Sequence, residues 1–317
     1  MIQLFVLLYW QNNSILRESI QLFYAKGSSK GMNDAENKVR ESILVFLANP
    51  LPAEYVNNAQ WAHLYARFHD ALRTICGQEY SRVVIKKMAG RAHNYDLLAT
   101  FYGADDTQIH VAKLEFKHNT ASLDKVPQIL SLQDRFALIT TVSYAKYYYD
   151  TGLNAYLSTI HYTGAKPTLE EYLAIVSGTE YSRCPMTQYM YDIEGAGDNK
   201  KRCTAIVKES IDSYLSKYAL FVDINKLNAK LLDSQMDKYF LLWDLDKFGI
   251  HTYSESDLRI CGGYGMTVKN KNTIVLLSDK YEYHLLLRWR NHAGILNPAW
   301  QIKAITRKTP LTNKSGI

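Results

Sequence analysis

Long hydrophobic runs are missing from this 317-residue chain: the longest is the seven residues Leu4 to Trp10. That is far below the ~20 apolar residues that carry a helix across a bilayer, so no membrane span is expected. Cysteine is scarce. Cys76, Cys184, Cys203 and Cys261 are widely spaced and form no CxxC pair, which argues against a zinc ribbon, an iron–sulfur cluster and a disulfide framework alike and points to reduced thiols in a cytosol-like compartment. Seven prolines and sixteen glycines leave little room for long flexible linkers. No GxSxG, HExxH or dinucleotide fingerprint occurs. Gly262-Gly263-Tyr264-Gly265 lacks the Lys-Ser/Thr of a phosphate loop and reads as a hairpin turn. Acidic residues are absent from Tyr283 to Ile317, where Arg288, Arg290, Lys303, Arg307, Lys308 and Lys314 together account for the +6 formal charge of the whole chain. Such a cluster attracts polyanions, nucleic acid among them, or simply solvates a terminus.

What is present is ordinary for a globular protein: 47% hydrophobic and 21% charged residues, at a length that suits one enlarged domain or two. Met1 to Trp10 has no basic n-region and no cleavage site at the right distance, so a cytoplasmic rather than a secreted protein is expected. Ala25 to Gly31 reads as a linker, which makes residues 1–31 an N-terminal extension that packs on the body or lies upstream of a start at Met32. Asn33 or Asp34 caps a helix through Phe46. Trp61, Leu64, Phe68, Leu72 and Ile75 recur at helical spacing within Val56–Ile75, and Gly77 follows as a stop. Arg82–Met88, Tyr95–Tyr102 and Ile109–Lys117 read as three strands, the last two joined by the turn Gly103-Ala104-Asp105-Asp106. Helices are expected over Leu123–Phe136, Tyr144–Ile160, Leu169–Val176, Arg202–Phe221 and Asn225–Leu232, with Gly195–Lys201 as a polar loop between lobes. Strands return at Tyr239–Asp244, Ile274–Ser278 and Tyr283–Arg290, with a turn at Lys269–Asn272. The expected organisation is an extension (1–31), a core with a helical insertion (32–195) and a basic, helical and β-rich C-terminal region (196–317).

One stretch carries chemistry. Residues two apart in a strand face one side, so Glu115 and Lys117 project together and Phe116 points the other way. The midpoint of 96 and 115 falls between Asp105 and Asp106, so a symmetric hairpin sets Asp96 opposite Glu115, with side chains roughly 5 Å apart. Two carboxylates that close repel unless a cation lies between them. A hard divalent ion such as Mg²⁺ suits oxygen ligands of this kind, polarises a phosphodiester and lowers the pKa of water. Lys117 beside it offsets charge on the phosphate. The plain structural alternative is a cross-strand salt bridge on an exposed sheet. His63 and His69 with Asp70 are poorly spaced for a metal. Tyr144, Tyr147, Tyr148 and Tyr149 with Lys146 make either a stacking surface or an amphipathic helix with half-buried tyrosines.

An Asp, a turn, and Glu-x-Lys on the next strand, after a helix and a first strand, resembles the PD-(D/E)xK nuclease superfamily over roughly Val56 to Phe136. The resemblance implies an α/β (α+β) fold with a restriction-endonuclease-like core around a central mixed β-sheet. It also implies a Mg²⁺-dependent (or Mn²⁺-dependent) endonuclease acting on DNA, double-stranded for preference. Asp96 and Glu115 would ligate the metal with the Phe116 carbonyl, and Lys117 would be the catalytic lysine. The family's proline is Tyr95 here, and its first-helix glutamate has no counterpart in Val56–Ile75, leaving Glu41, Glu54 and Glu79 as candidates. Asn94, His118 and Asn119 flank the centre as candidate nucleic-acid contacts. Arg288, Arg290, Lys303 and Arg307 are candidates for the DNA backbone, and cutting both strands symmetrically suggests a homodimer. The segment Leu285–Arg290 with Pro298–Gln301 resembles a piece of uncharacterised large-DNA-virus proteins. The rival reading is a non-catalytic nucleic-acid-binding or assembly protein on the same fold.

Overall fold

The computed structural model describes residues 19–25, 32–88, 93–178, 184–194, 197–261, 267–269, 271–291 and 294–308. Leu4–Trp10, most of the expected linker and Gly262–Gly265 lie outside them. The protein is mixed α/β with two five-stranded sheets. It divides into two compact units, residues 1–126 with 235–253 and residues 127–234 with 254–317. The division expected near 195 therefore falls inside the second unit. That unit is an excursion from the first, and the chain re-enters the first sheet afterwards.

The first unit opens with α1 (Gln21–Tyr24), α2 (Asn33–Leu47), the single turn α3 (Ala53–Val56) and α4 (Ala59–Cys76). Asn58 starts α4, its side chain accepting the N–H groups of Gln60 and Trp61 at 3.0 and 3.2 Å. Gly77 ends it in the left-handed conformation, φ +71°. The predicted stripe Trp61, Leu64, Phe68, Leu72 and Ile75 is buried throughout. The sheet runs β1-β2-β3-β5-β6, with β1 (Arg82–Lys87), β2 (Leu97–Tyr102), β3 (Gln108–His118), β5 (Lys238–Asp244) and β6 (Lys247–His251). All neighbours are antiparallel except β3 and β5, which are parallel. Alternation sorts β3: Ala112, Leu114 and Phe116 join Leu97, Ala99, Phe101, Leu241 and Trp243 in the core shared with α2 and α4. Lys113, Glu115 and Lys117 face the other way.

In the second unit the sheet is antiparallel in the order β4-β10-β9-β8-β7, from β4 (Leu130–Gln133), β7 (Thr267–Lys269), β8 (Thr273–Leu277), β9 (Tyr281–Asn291) and β10 (Leu296–Thr306). Its helices are α5 (Tyr144–Thr151), α6 (Leu153–Thr159), α7 (Leu169–Ser177), α8 (Pro185–Glu194), α9 (Gly197–Tyr218), α10 (Ile224–Gln235, whose last residue opens the return to the first unit) and α11 (Glu255–Leu258). The helix expected over Leu123–Phe136 does not form. Two 3-10 turns (Leu123–Lys125 and Asp134–Phe136) flank β4, because Pro127 offers no N–H to a helix and Leu130 and Leu132 alternate inward against β10. Gly197–Lys201, expected as loop, opens α9. Tyr144 and Tyr148 are fully buried, with Tyr156, Tyr172 and Tyr214, so they build a core and not a stacking surface.

Asp134 organises this core: it accepts the N–H groups of Tyr144 and Ala145 at 3.1 and 2.8 Å at the start of α5. Burial pushes its carboxyl up to about 6, although these donors and Ser143 pull the other way. The folded state thus holds a proton that the unfolded chain releases near pH 4. This contribution to stability is complete below about pH 4, declines as the pH climbs to 6 and is gone above it. Relative to Asp134→Asn, wild type should gain on the order of 2–3 kcal/mol between pH 7 and pH 4. Urea midpoints of both proteins across that range measure it, and a pH-independent difference contradicts it.

Candidate active site

The turn predicted around Asp105-Asp106 closes as Gly103 N–H to the Thr107 carbonyl at 2.9 Å, with Asp106 at φ +62°. A bulge at Phe101/Tyr102 precedes it, and from there the register runs to Leu97 opposite Leu114. One residue on, Asp96 departs from a symmetric hairpin. Its N–H donates to the Leu114 carbonyl, and its carboxylate Oδ2 accepts the next β3 N–H, that of Phe116, at 2.9 Å. The side chain therefore does the work of a missing strand partner. In an antiparallel pair the N–H and C=O of one residue point the same way, so the Phe116 carbonyl is also directed to the side where Asp96 stands.

Lys117 joins the two acids. Its Nζ is 2.6 Å from Glu115 Oε1 and 4.0 Å from Asp96 Oδ2. Asp96, Glu115 and Lys117, picked out in the sequence, are thus brought together on one side of the sheet. Further groups join them, of which Lys238 and Lys87 were not anticipated and Glu41 was one of three candidate acids. Lys238, the first residue of β5, is 1% exposed and places Nζ 3.1 Å from Glu115 Oε2 and 2.9 Å from the Asn94 carbonyl. Glu41 on α2 acts electrostatically on both Asp96 and Lys117, while Lys87 holds it at 3.0 Å. Of the three candidates for a further acid, Glu41 is the one that reaches the site; Glu54 and Glu79 are exposed. Only the isolated lysine heading the apolar run Tyr239–Trp243 hinted at Lys238.

The electrostatics separate the acids. Burial raises Asp96 to about 6, Lys117 opposes this, and Glu115 and Glu41 add to it. For Glu115 burial alone would raise the pKa, but the Lys117 and Lys238 ammoniums outweigh it and hold the carboxyl below its ordinary value. Burial likewise disfavours the Lys117 ammonium, and the two acids more than restore it. Lys238 is pulled down, because burial exceeds the help from Glu115. One acid is thus firmly ionised and the other poised.

Among the described residues no three His, Cys, Asp or Glu side chains gather as a metal cage. The oxygens gathered at Lys117, those of the Asp96 and Glu115 carboxylates, are hard donors, and the Phe116 carbonyl directed to the Asp96 side is another. They fit a Mg²⁺ ion that retains water and takes phosphate oxygens, rather than zinc in a closed site. His63 and His69 bond to separate carbonyls, those of Asp246 and Leu47.

The flanking candidates divide. The Asn94 carbonyl belongs to the site through Lys238. His118 and Asn119 instead secure the N-terminal segment: His118 Nε2 lies 2.9 Å from the Phe23 carbonyl and Asn119 donates to Ala25 at 3.3 Å. Arg288, Arg290 and Lys303 share one face of the β9–β10 pair, where Lys303 stands opposite His284. Arg307 is committed to the Ser278 carbonyl at 3.0 Å. No protein-family model matches the chain, and no curated protein does.

Removing one member of a buried ion pair strands the other charge. Lys238→Ala should cost about 3–5 kcal/mol of folding free energy. Lys117→Ala, which removes a side chain 24% exposed against 1% for Lys238, should cost less. Denaturant unfolding of the two variants checks the order, and equal losses would be incompatible with it.

Proposed function

We propose that the protein is a Mg²⁺-dependent endonuclease that hydrolyses DNA phosphodiester bonds. The observation that carries this is the Lys117 ammonium within 4.0 Å of two carboxylates, Glu115 on β3 and Asp96 just ahead of β2, at the positions where the sequence resembles PD-(D/E)xK nucleases. The mixed five-stranded sheet and Glu41 at the same centre support it.

Asp96, Glu115 and the Phe116 carbonyl would hold the ion, which when bound supplies Lewis acidity to the scissile phosphate and to water. The Phe116 N–H aims the Asp96 carboxylate by fixing one oxygen, and Lys238 does the same for Glu115. Lys117, paired with Glu115 and with part of its side chain exposed, is the ammonium that would face the reacting phosphate, orient the attacking water and offset the charge that develops in the transition state. Glu41, held by Lys87, keeps negative charge near Lys117 and so keeps it protonated. In the second unit the Arg288, Arg290 and Lys303 face supplies sequence-independent contact with phosphates. A double-strand cut from one centre per chain calls for two copies, so a homodimer belongs to the same reading.

A second reading draws on the completeness of the ion pairs: three lysines already satisfy three acids, as they would in a nucleic-acid-binding or assembly protein without catalysis. Plasmid incubated with Mg²⁺ decides between them. Nicking or linearisation by the wild type, reduced roughly 10²-fold or more by Asp96→Asn, Glu115→Gln or Lys117→Ala, supports the enzyme. Retention of DNA without cleavage supports the binder. The sheet face has its own measurement. Joint replacement of Arg288, Arg290 and Lys303 by alanine should lower the slope of log affinity against log salt by about 2–3, and His118→Ala should leave that slope unchanged. No change in the triple variant would remove this face from the interface.

A further inference from the structure

Both oxygens of Glu115 are engaged, whereas Asp96 commits one of its two to a hydrogen bond. Asp96 commits Oδ2 to the Phe116 N–H at 2.9 Å, and Glu115 commits Oε2 to the Lys238 ammonium at 3.1 Å. The two Glu115 oxygens differ in what opposes them. Glu115 Oε1 faces Lys117, whose side chain is 24% exposed and can swing toward solvent or phosphate. Oε2 faces an ammonium that cannot swing. Lys238 is 1% exposed, anchored to the Asn94 carbonyl at 2.9 Å and backed by the Phe240 ring at 4.9 Å. Two-metal phosphodiesterases place their ions about 3.5–4 Å apart and share carboxylates between them. In this chain the second carboxylate oxygen that such sharing requires is already neutralised by a fixed positive charge.

We infer that Lys238 stands in for a second cation, making this a centre for a single divalent ion, held by Asp96, Glu115 and the Phe116 carbonyl. The inference rests on the nuclease reading of the same site. Lys238 acts here as a positioning residue: it touches neither substrate nor ion, orients Glu115 through Oε2 and repels a second dication from its neighbourhood. The full chain should therefore bind one equivalent of Mn²⁺, whose electron paramagnetic resonance signal counts free and bound ions without reference to activity. Glu115→Gln should abolish that binding. Lys238→Met keeps length while removing charge; where circular dichroism shows it folded, its capacity should rise from one Mn²⁺ to two. Two equivalents on the wild type would overturn the inference while leaving the nuclease reading intact, as would a folded Lys238→Met that still takes one. No Mn²⁺ bound, together with no plasmid cleavage, would instead sink the nuclease reading and the inference with it. Because the wild-type count is decisive alone, failure of Lys238→Met to fold does not shelter the inference.

Discussion

Two carboxylates side by side on paired strands repel, and burying them raises the cost. The architecture around the site follows from how that repulsion is contained. Asp96 spends one oxygen on a strand N–H that lacks a backbone partner. Glu115 lies between two ammoniums, one partly open to solvent and one sealed. The sealed one comes from β5, so the site is complete only after the chain has left the first unit, traversed residues 127–234 and returned. A local hairpin supplies the acids, and a contact across 123 residues makes them tolerable.

The opposite face of β3 is as apolar as this face is ionic. Phe116 packs on Phe23 at 5.8 Å between ring centres. The Phe23 carbonyl in turn receives Trp243 Nε1 at 2.8 Å and lies 2.9 Å from His118 Nε2. Arg40, fully buried, donates to the Leu22 carbonyl at 3.0 Å and pairs with Glu36. A short segment near the N-terminus is thus bolted beneath the site by polar contacts that would otherwise be orphaned in the core. One residue of strand separates that dry core from Glu115 and Lys117. Proximity to low-polarity packing explains why burial dominates the Asp96 shift.

Local signals were read well from the sequence. Period-two alternation placed Phe116 inward and Glu115 and Lys117 together, and the turn at Asp105-Asp106 brought Asp96 to them, with departures from symmetry at the Phe101/Tyr102 bulge and at Asp96 itself. Gly77 and the Trp61–Ile75 stripe fixed α4. Elements whose identity depends on distant partners were not legible. β4 looks helical until β10 covers it, and β10 itself, with Pro298 inside, becomes a strand because β4 and β9 flank it. Lys238 reaches Glu115 across 123 positions, a distance that leaves no trace in spacing, and Glu41 is one of three acids the sequence offers without a means to choose among them. His118 and Asn119 sit where strand-end contacts to substrate are expected, but adjacency in sequence could not reveal the segment that occupies them.

Balance of charge at the centre has a consequence for what it can attract. Asp96, Glu115 and Glu41 are matched by Lys117, Lys238 and Lys87, so the site by itself exerts little pull on a phosphate at distance. A dication added at Asp96 and Glu115 would tip it positive and free Lys117 at the same moment. On the nuclease reading, attraction of the backbone and readiness for chemistry then arise from one event. On the same reading, long-range capture would fall to Arg288, Arg290 and Lys303, since β10 carries no acid to cancel their charge. On that reading the two ammoniums divide the work: Lys238, sealed against the Asn94 carbonyl, stays with Glu115, and Lys117, with part of its side chain exposed, is the one that turns to phosphate.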